Sequence, residues 1–244
     1  MDLNAIEINT LKMLKEKGCV LIEDITQCIY TKQKVDIFDY IVGSYRKWFK
    51  TPDGGFIESN QLDNIKVPES ENENFVRKQI DAMYLRNKYF ETNDEVIKTI
   101  SIRLNKEAVS SIGNMIGFHK MSNLSIAIME KENNEINITK RHTNYKYLYH
   151  NLRQTENIKF ACKNINEVTT APLYFPIYAT NRTFIQKILA ENHIYAPVLW
   201  PINTEEVLIN NNIKYIYQHI LMLPIDQRYG IEEMNRIISI INNN

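Results

Sequence analysis

Two stretches decide the reading of this chain: VLIEDITQ at residues 20–27 and DYIVGSYRKWFKTPDGGF at residues 39–56. In the first, the apolar run 19–22 meets Glu23 and Asp24, the pattern of a buried strand with acids at its carboxyl end. Ligands of open α/β sheets gather at the carboxyl ends of strands. The second stretch opens on another short apolar strand, 39–43, and then presents Ser44, Arg46 and Lys47. It closes on Pro52, Asp53, Gly54 and Gly55, a tight turn in which glycine supplies positive φ without steric cost. Phe56 and Ile57 begin a third strand. Upstream, Ile6, Ile8, Leu11, Met13 and Leu14 mark a helical face over residues 4–17, with Gly18 placed to end it. Helix, strand, loop, strand, turn, strand is part of an α/β sheet with its crossovers.

Working outward, residues 59–74 are polar, carry Pro68 and several acids, and read as an exposed connection. Phe75, Val76, Ile80, Met83, Tyr84 and Leu85 then fall mostly at helical spacing. The helical pattern continues, broken, to about residue 129, with Gly113 and Gly117 as kinks or helix ends. A further helix is expected over 141–154, with Tyr145, Leu148, Tyr149 and Leu152 on one side. Strands are expected at 173–178, 196–200 and 215–223, a helix at 182–192 capped by Thr180 or Asn181, and a last helix at 231–242. The expected organisation is a partial large α/β domain at 1–70, a helical connecting region at 71–140, and a small C-terminal α+β domain at 141–244.

Composition excludes several function classes. Lysine plus arginine equals aspartate plus glutamate at 29 each, so the chain has no net field for nucleic acid or an anionic membrane. There is no G-x-x-x-x-G-K-[ST] loop and no G-x-G-x-x-G after a strand, which argues against a nucleotide-binding module. Cys19, Cys28 and Cys162 make no C-x-x-C pair, and the five histidines lack metal-ligand spacing, so neither a disulfide framework nor a metal site is expected. The N-terminal residues carry Asp2 and Glu7 without a long apolar stretch, and no run suits a membrane span. The expectation is a soluble, cytoplasmic protein.

The segments VLIEDITQ, DYIVGSYRKWFKTPDGGF, RHTNYKYL (141–148) and HILMLPIDQRYGIEEM (219–234) together resemble the DegT-type sugar aminotransferases, which are fold-type-I pyridoxal-phosphate enzymes. The resemblance runs from about residue 11 to residue 241 and is strongest over residues 20–57. It implies a partial large domain of a fold-type-I transferase followed by a small α+β domain. It implies pyridoxal 5'-phosphate as cofactor and Lys47 as the lysine that would hold it as a Schiff base. Asp24 matches the aspartate that pairs with the pyridine nitrogen, Gln27 the side chain on the phenolic oxygen, and Ser44 a hydroxyl on the phosphate. The implied reaction moves an amine from an amino donor to a keto sugar, typically nucleotide-linked, as in polysaccharide biosynthesis. A lysine amine attacks well only when a nearby cation or desolvation lowers its pKa.

Three further residues carry two readings each. Trp48 reads as core, or as packing under the lysine-bearing loop. Trp200 ends an expected strand and is either packed or turned toward substrate. Arg228 either binds a substrate carboxylate through its bidentate fork or caps the surface.

The resemblance also implies a long upstream segment, supplying the turn that cradles the cofactor phosphate and the ring that stacks on the pyridine. Neither is found here, and Gly54 and Gly55 follow the lysine, in the wrong place for that turn. A half sheet exposes apolar faces and open edges. A separately encoded N-terminal half, or self-association as a homodimer, would cover them. The alternative is a non-catalytic pseudoenzyme or truncated remnant serving as an interaction or dimerisation module. Intact Asp24 and Lys47 count against it.

Overall fold

The structure is a computed structural model that describes residues 5–30, 37–61, 66–113, 117–199 and 210–244. Its contacts divide the chain into two compact units, Met1–Glu132 and Asn133–Asn244.

The first unit opens with helix α1 (Ala5–Glu16), followed by strands β1 (Ile22–Asp24), β2 (Tyr40–Ser44) and β3 (Gly55–Glu58) in the spatial order β1-β2-β3. β1 and β2 run parallel, Ile22 opposite Tyr40 and Asp24 opposite Val42. β2 and β3 are antiparallel, Ser44 opposite Gly55. The first strand lies later than the apolar run suggested: its ladder includes both acids. Asp39 sets this register, its carboxylate accepting from the Leu21 N–H at 2.8 Å and pairing with Lys15 at 3.3 Å. Nor is the strand buried on both faces. Leu21 and Ile25 pack inward with Ile41, but Ile22, on the other face, is 61% exposed.

Helices α2 (Glu73–Thr92) and α3 (Glu95–Gly113) form an antiparallel pair, and α4 (Asn123–Met129) follows. Asn72 caps α2 by accepting from the Phe75 N–H at 3.1 Å, and Asn93 ends it in the left-handed region. Ala82, Ser101 and Ala108 are all buried, and the Ser101 hydroxyl donates to the Ala82 carbonyl at 2.8 Å, so small residues line the close approach. α3 is described as far as Gly113, and Gly117 takes a positive φ before α4.

The second unit has α5 (Asn134–Asn151), β4 (Ile158–Phe160), β5 (Tyr174–Ala179), α6 (Arg182–Glu191), α7 (Asn211–His219), β6 (Ile220–Pro224) and α8 (Ile231–Asn242). The three strands form one antiparallel sheet, β4-β5-β6. Phe175, Ile177 and Ala179 alternate into a core shared with Leu148, Leu189, Leu221, Met234 and Ile237. The last helix has the bounds expected from its spacing.

Three expectations for this unit change. α5 begins earlier than residue 141, because Asn133 supplies the cap by accepting from the Ile136 N–H. Residues 196–199 form no strand; Pro197 has no N–H to give a ladder, and only its carbonyl accepts from Met222. Residues 215–219 belong to α7, capped at Asn210, and the strand starts only at Ile220. β4 was not foreseen, since three residues are too few to show a period.

Candidate functional site

The parallel pair β1 and β2 sends Asp24 and Ser44 to the same face of the sheet, both at carboxyl ends. Asp24 closes a tight side-chain turn on itself: its Oδ1 accepts from the Thr26 N–H at 2.8 Å. Hydrogen bonds from the Thr26 hydroxyl and N–H, with the positive charge of Lys47 beside them, hold the Asp24 carboxyl below the usual aspartate range. So Asp24 is an exposed, firmly ionised carboxylate within electrostatic reach of Lys47. Gln27 follows half-buried in the same loop.

Lys47 ends a single 3-10 turn, Tyr45–Lys47, that leaves β2. Its side chain is exposed, whereas its neighbours are anchored. Arg46 turns inward, its guanidinium 5.3 Å from the Phe75 ring centre. Burial lowers its pKa, partly offset by the charge of Asp53. Trp48 is buried to 2% exposure, edge-on to Tyr30 at 5.2 Å, and its indole Nε1 donates to the Thr26 carbonyl at 2.8 Å. It is thus part of the core and also part of the frame under Lys47. Ser44 precedes the turn in extended conformation and does not cap it with its hydroxyl.

The return from the turn is equally tied down. Tyr45 N–H donates to the Gly54 carbonyl at 3.2 Å. Gly54 has φ +117°, a conformation that favours glycine, and a Cβ there would also displace the end of the Met121 side chain, 2.8 Å away. Asp53 accepts from the Ser122 N–H at 2.9 Å, from the Ser122 hydroxyl at 2.6 Å and from the Ser125 hydroxyl, which joins the turn to the first residues of α4. Behind the sheet, burial raises the pKa of Glu23, whose Oε2 is buried without a hydrogen-bond partner.

Of the residues expected at the site, the first unit brings together Asp24, Gln27, Ser44 and Lys47 around the ends of two adjacent strands. Arg228 belongs to the second unit. Its fork is taken within the chain, Nε donating to Asp226 Oδ1 at 2.7 Å and a terminal nitrogen to Oδ2 at 2.6 Å. Burial alone would raise the Asp226 carboxyl, but the bonds and charge of Arg228 hold it low. Arg141 and Asn144 of α5 secure the same loop from beneath, Asn144 donating to the carbonyls of Ile225, Asp226 and Tyr229. Trp200 lies outside the described residues.

The sequence reading passed over Thr26 and the Asp53–Ser122–Ser125 cluster. Both had local signals: an aspartate two residues before a donor N–H, and serines at cap and third helical positions. Among the described residues there is no group of three or more His, Cys, Asp or Glu that could hold a metal ion. No helix among them is long and apolar enough to cross a membrane.

No protein-family model and no curated protein matches the chain. Solved structures do. NtdA from Bacillus subtilis, crystallised with the cofactor PMP, aligns with 96% of this chain and 52% of its own at 18% identity and a TM-score of 0.56. The sugar aminotransferase CalS13 from Micromonospora echinospora aligns with 100% of this chain and 64% of its own, at 10% identity and a TM-score of 0.60. PseC of Helicobacter pylori, an aminotransferase in the biosynthesis of pseudoaminic acid, aligns with 98% and 63%, at 12% identity and a TM-score of 0.55. At these identities the likeness is one of fold. The chain has the α/β fold of those aminotransferases over little more than half to two-thirds of their length, as the sequence resemblance implied.

Proposed function

We propose that this chain is the lysine-bearing part of a pyridoxal-phosphate aminotransferase that acts on a keto sugar, joined to a nucleotide, with a separate amino donor. The observation that carries this reading is that Asp24 and Lys47 stand, both exposed, at the carboxyl ends of the adjacent parallel strands β1 and β2, near enough for the lysine's charge to act on the carboxylate. This donor set suits the cofactor. A carboxylate whose charged form is favoured matches a protonated ring nitrogen, and an accessible primary amine matches an aldehyde.

When bound, pyridoxal phosphate supplies the electron sink that makes a C–H bond beside nitrogen breakable. The chain's residues do the rest. Asp24 would face the ring nitrogen and favour its protonated form. Lys47 Nζ would hold the cofactor and would move a proton at the substrate carbon. Gln27 would help orient the cofactor, and the Ser44 hydroxyl would help hold its phosphate. Trp200 and Arg228 stay candidates for binding substrate, Arg228 only where a carboxylate takes the place of Asp226. Residues 1–70 are the cofactor-binding part, 71–140 the connecting region and 141–244 the small domain.

Matching structures continue beyond the part covered here, so the reading includes a polypeptide carrying the rest of the large-domain sheet, or a homodimer, in the cytoplasm. Exposed Val20, Ile22 and Ile57 beside β1 and β3 support such a partner.

The test is chemical. The purified chain is incubated with pyridoxal phosphate, reduced with borohydride and mapped by peptide mass. The label is expected on Lys47 and absent from Lys47→Ala, with amine transfer lost altogether in that variant. No label at Lys47, alone or with a polypeptide supplying the remaining sheet, would overturn the reading and favour a non-catalytic interaction module.

A further inference from the structure

Thr26 is hydrogen-bonded to both halves of the site. Its N–H reaches Asp24 Oδ1 at 2.8 Å, and its carbonyl accepts from Trp48 Nε1, also at 2.8 Å. Trp48 follows Lys47 directly and is itself immobilised, buried against Tyr30, its N–H held by the Tyr45 carbonyl at 2.9 Å. The path from carboxylate to lysine-bearing turn therefore runs Asp24, Thr26, Trp48, Lys47, through two short hydrogen bonds and one peptide link. The β1–β2 ladder ends at Asp24 and Val42. Beyond it the Ile25 N–H still donates to the Val42 carbonyl, but nothing in that ladder reaches the turn after Ser44.

We propose that Thr26 is a positioning residue, the strut that sets the separation and aim of Asp24 relative to Lys47. The proposal rests on the cofactor reading above for its purpose, but not for its geometry. A site that grips one small molecule by a carboxylate at one end and an amine at the other needs these two groups held to within a fraction of an ångström. Strand pairing supplies the first, a one-turn helix with an exposed lysine supplies the second, and the Thr26–Trp48 bond joins them. The Thr26 hydroxyl favours the charged form of the same carboxylate, as does the charge of Lys47.

Three variants separate the roles. Thr26→Val keeps the branched shape and deletes the hydroxyl; Thr26→Ser retains it. Trp48→Phe deletes the indole N–H and keeps an aromatic ring. Circular dichroism and melting curves establish that each is folded.

In the cofactor-free protein, carbon-13 carboxyl NMR should find the Asp24 midpoint higher in Thr26→Val than in the unsubstituted chain, and unchanged in Thr26→Ser. With pyridoxal phosphate, Thr26→Val and Trp48→Phe should each weaken binding about tenfold, with Thr26→Ser close to the unsubstituted chain. An unchanged Asp24 midpoint and unchanged affinity in Thr26→Val overturn the hydroxyl's part, and unchanged affinity in Trp48→Phe overturns the strut. Absence of any Lys47 label in the unsubstituted chain overturns the cofactor reading instead, and the Asp24 titration then decides on Thr26 by itself.

Discussion

The two sheets of this chain are built to different degrees of completion. In the second unit β5 sits between β4 and β6, and Leu221, Leu223 and Ile177 are fully buried under α5, α6 and α8. In the first unit the three strands pack on one face only, and Val20 and Ile22 stand 64% and 61% exposed. Yet the incomplete sheet carries the ionised Asp24 and Lys47, while the complete one carries an arginine fork already occupied by Asp226. The comparison teaches that the residues proposed to hold the cofactor sit where the packing is least self-contained. There, local ties such as Asp53 to Ser122 and Trp48 to Thr26 do the work that a surrounding core does in the second unit.

The sharpest way to break this contrast is a matched pair of truncations. Leu221→Ala should cost about 2–5 kcal/mol, the range for emptying a filled core site. Ile22→Ala should cost less than about 0.5 kcal/mol, since its side chain already faces outward. Urea unfolding followed by circular dichroism measures both. Equal costs would show that the first sheet is as well packed as the second.

A smaller effect is expected at the tie that stands in for a core. Asp53→Ala removes acceptors from the Ser122 N–H and two hydroxyls and leaves the half-buried Arg46 without its nearby counter-charge. A loss of about 2–3 kcal/mol is expected. It should fall in the first unit alone, read by Trp48 fluorescence in a Trp200→Phe background. A loss spread over both units would break the comparison.

The smallest effect concerns Glu23, on the packed face of the unfinished sheet. Burial raises its carboxyl pKa, so the folded chain keeps this proton to higher pH than the unfolded chain. As pH rises from the unfolded value through the folded one, unfolding releases the proton and stability falls. Glu23→Gln should therefore raise the melting temperature by about 2 °C at neutral pH and leave it unchanged in acid, below the ordinary glutamate range. A gain that persists in acid would mean the side-chain swap, not the charge, is responsible.

Much of the first unit was legible because its signals are local. The apolar runs before Asp24 and Ser44, the Pro52–Gly55 turn and the helical spacing after Phe75 each need only a few neighbouring residues to be read. The failures came where a single nearby residue overrides the pattern around it. Residues 215–219 carry aromatic and branched residues that suit a strand, yet the Asn210 cap draws them into α7. The apolar run at 196–200 reads as a strand, but Pro197 has no donor for the ladder.

By itself the sequence determined the α/β class, the order of Asp24, Gln27, Ser44 and Lys47, and the glycine turn that brings β3 back beside β2. These follow from side-chain period, strand ends and backbone freedom, which act over a few residues. Only the tertiary structure decided that one face of β1 stays open, that Arg228 is bound to Asp226, and that Thr26 joins the carboxylate to the lysine-bearing turn. The Thr26–Trp48 bond spans 22 residues of chain, and the Asp226–Arg228 pair, although two residues apart, depends on how the fold orients both side chains. Hydrogen bonds are short-ranged and directional, so sequence spacing alone does not specify them.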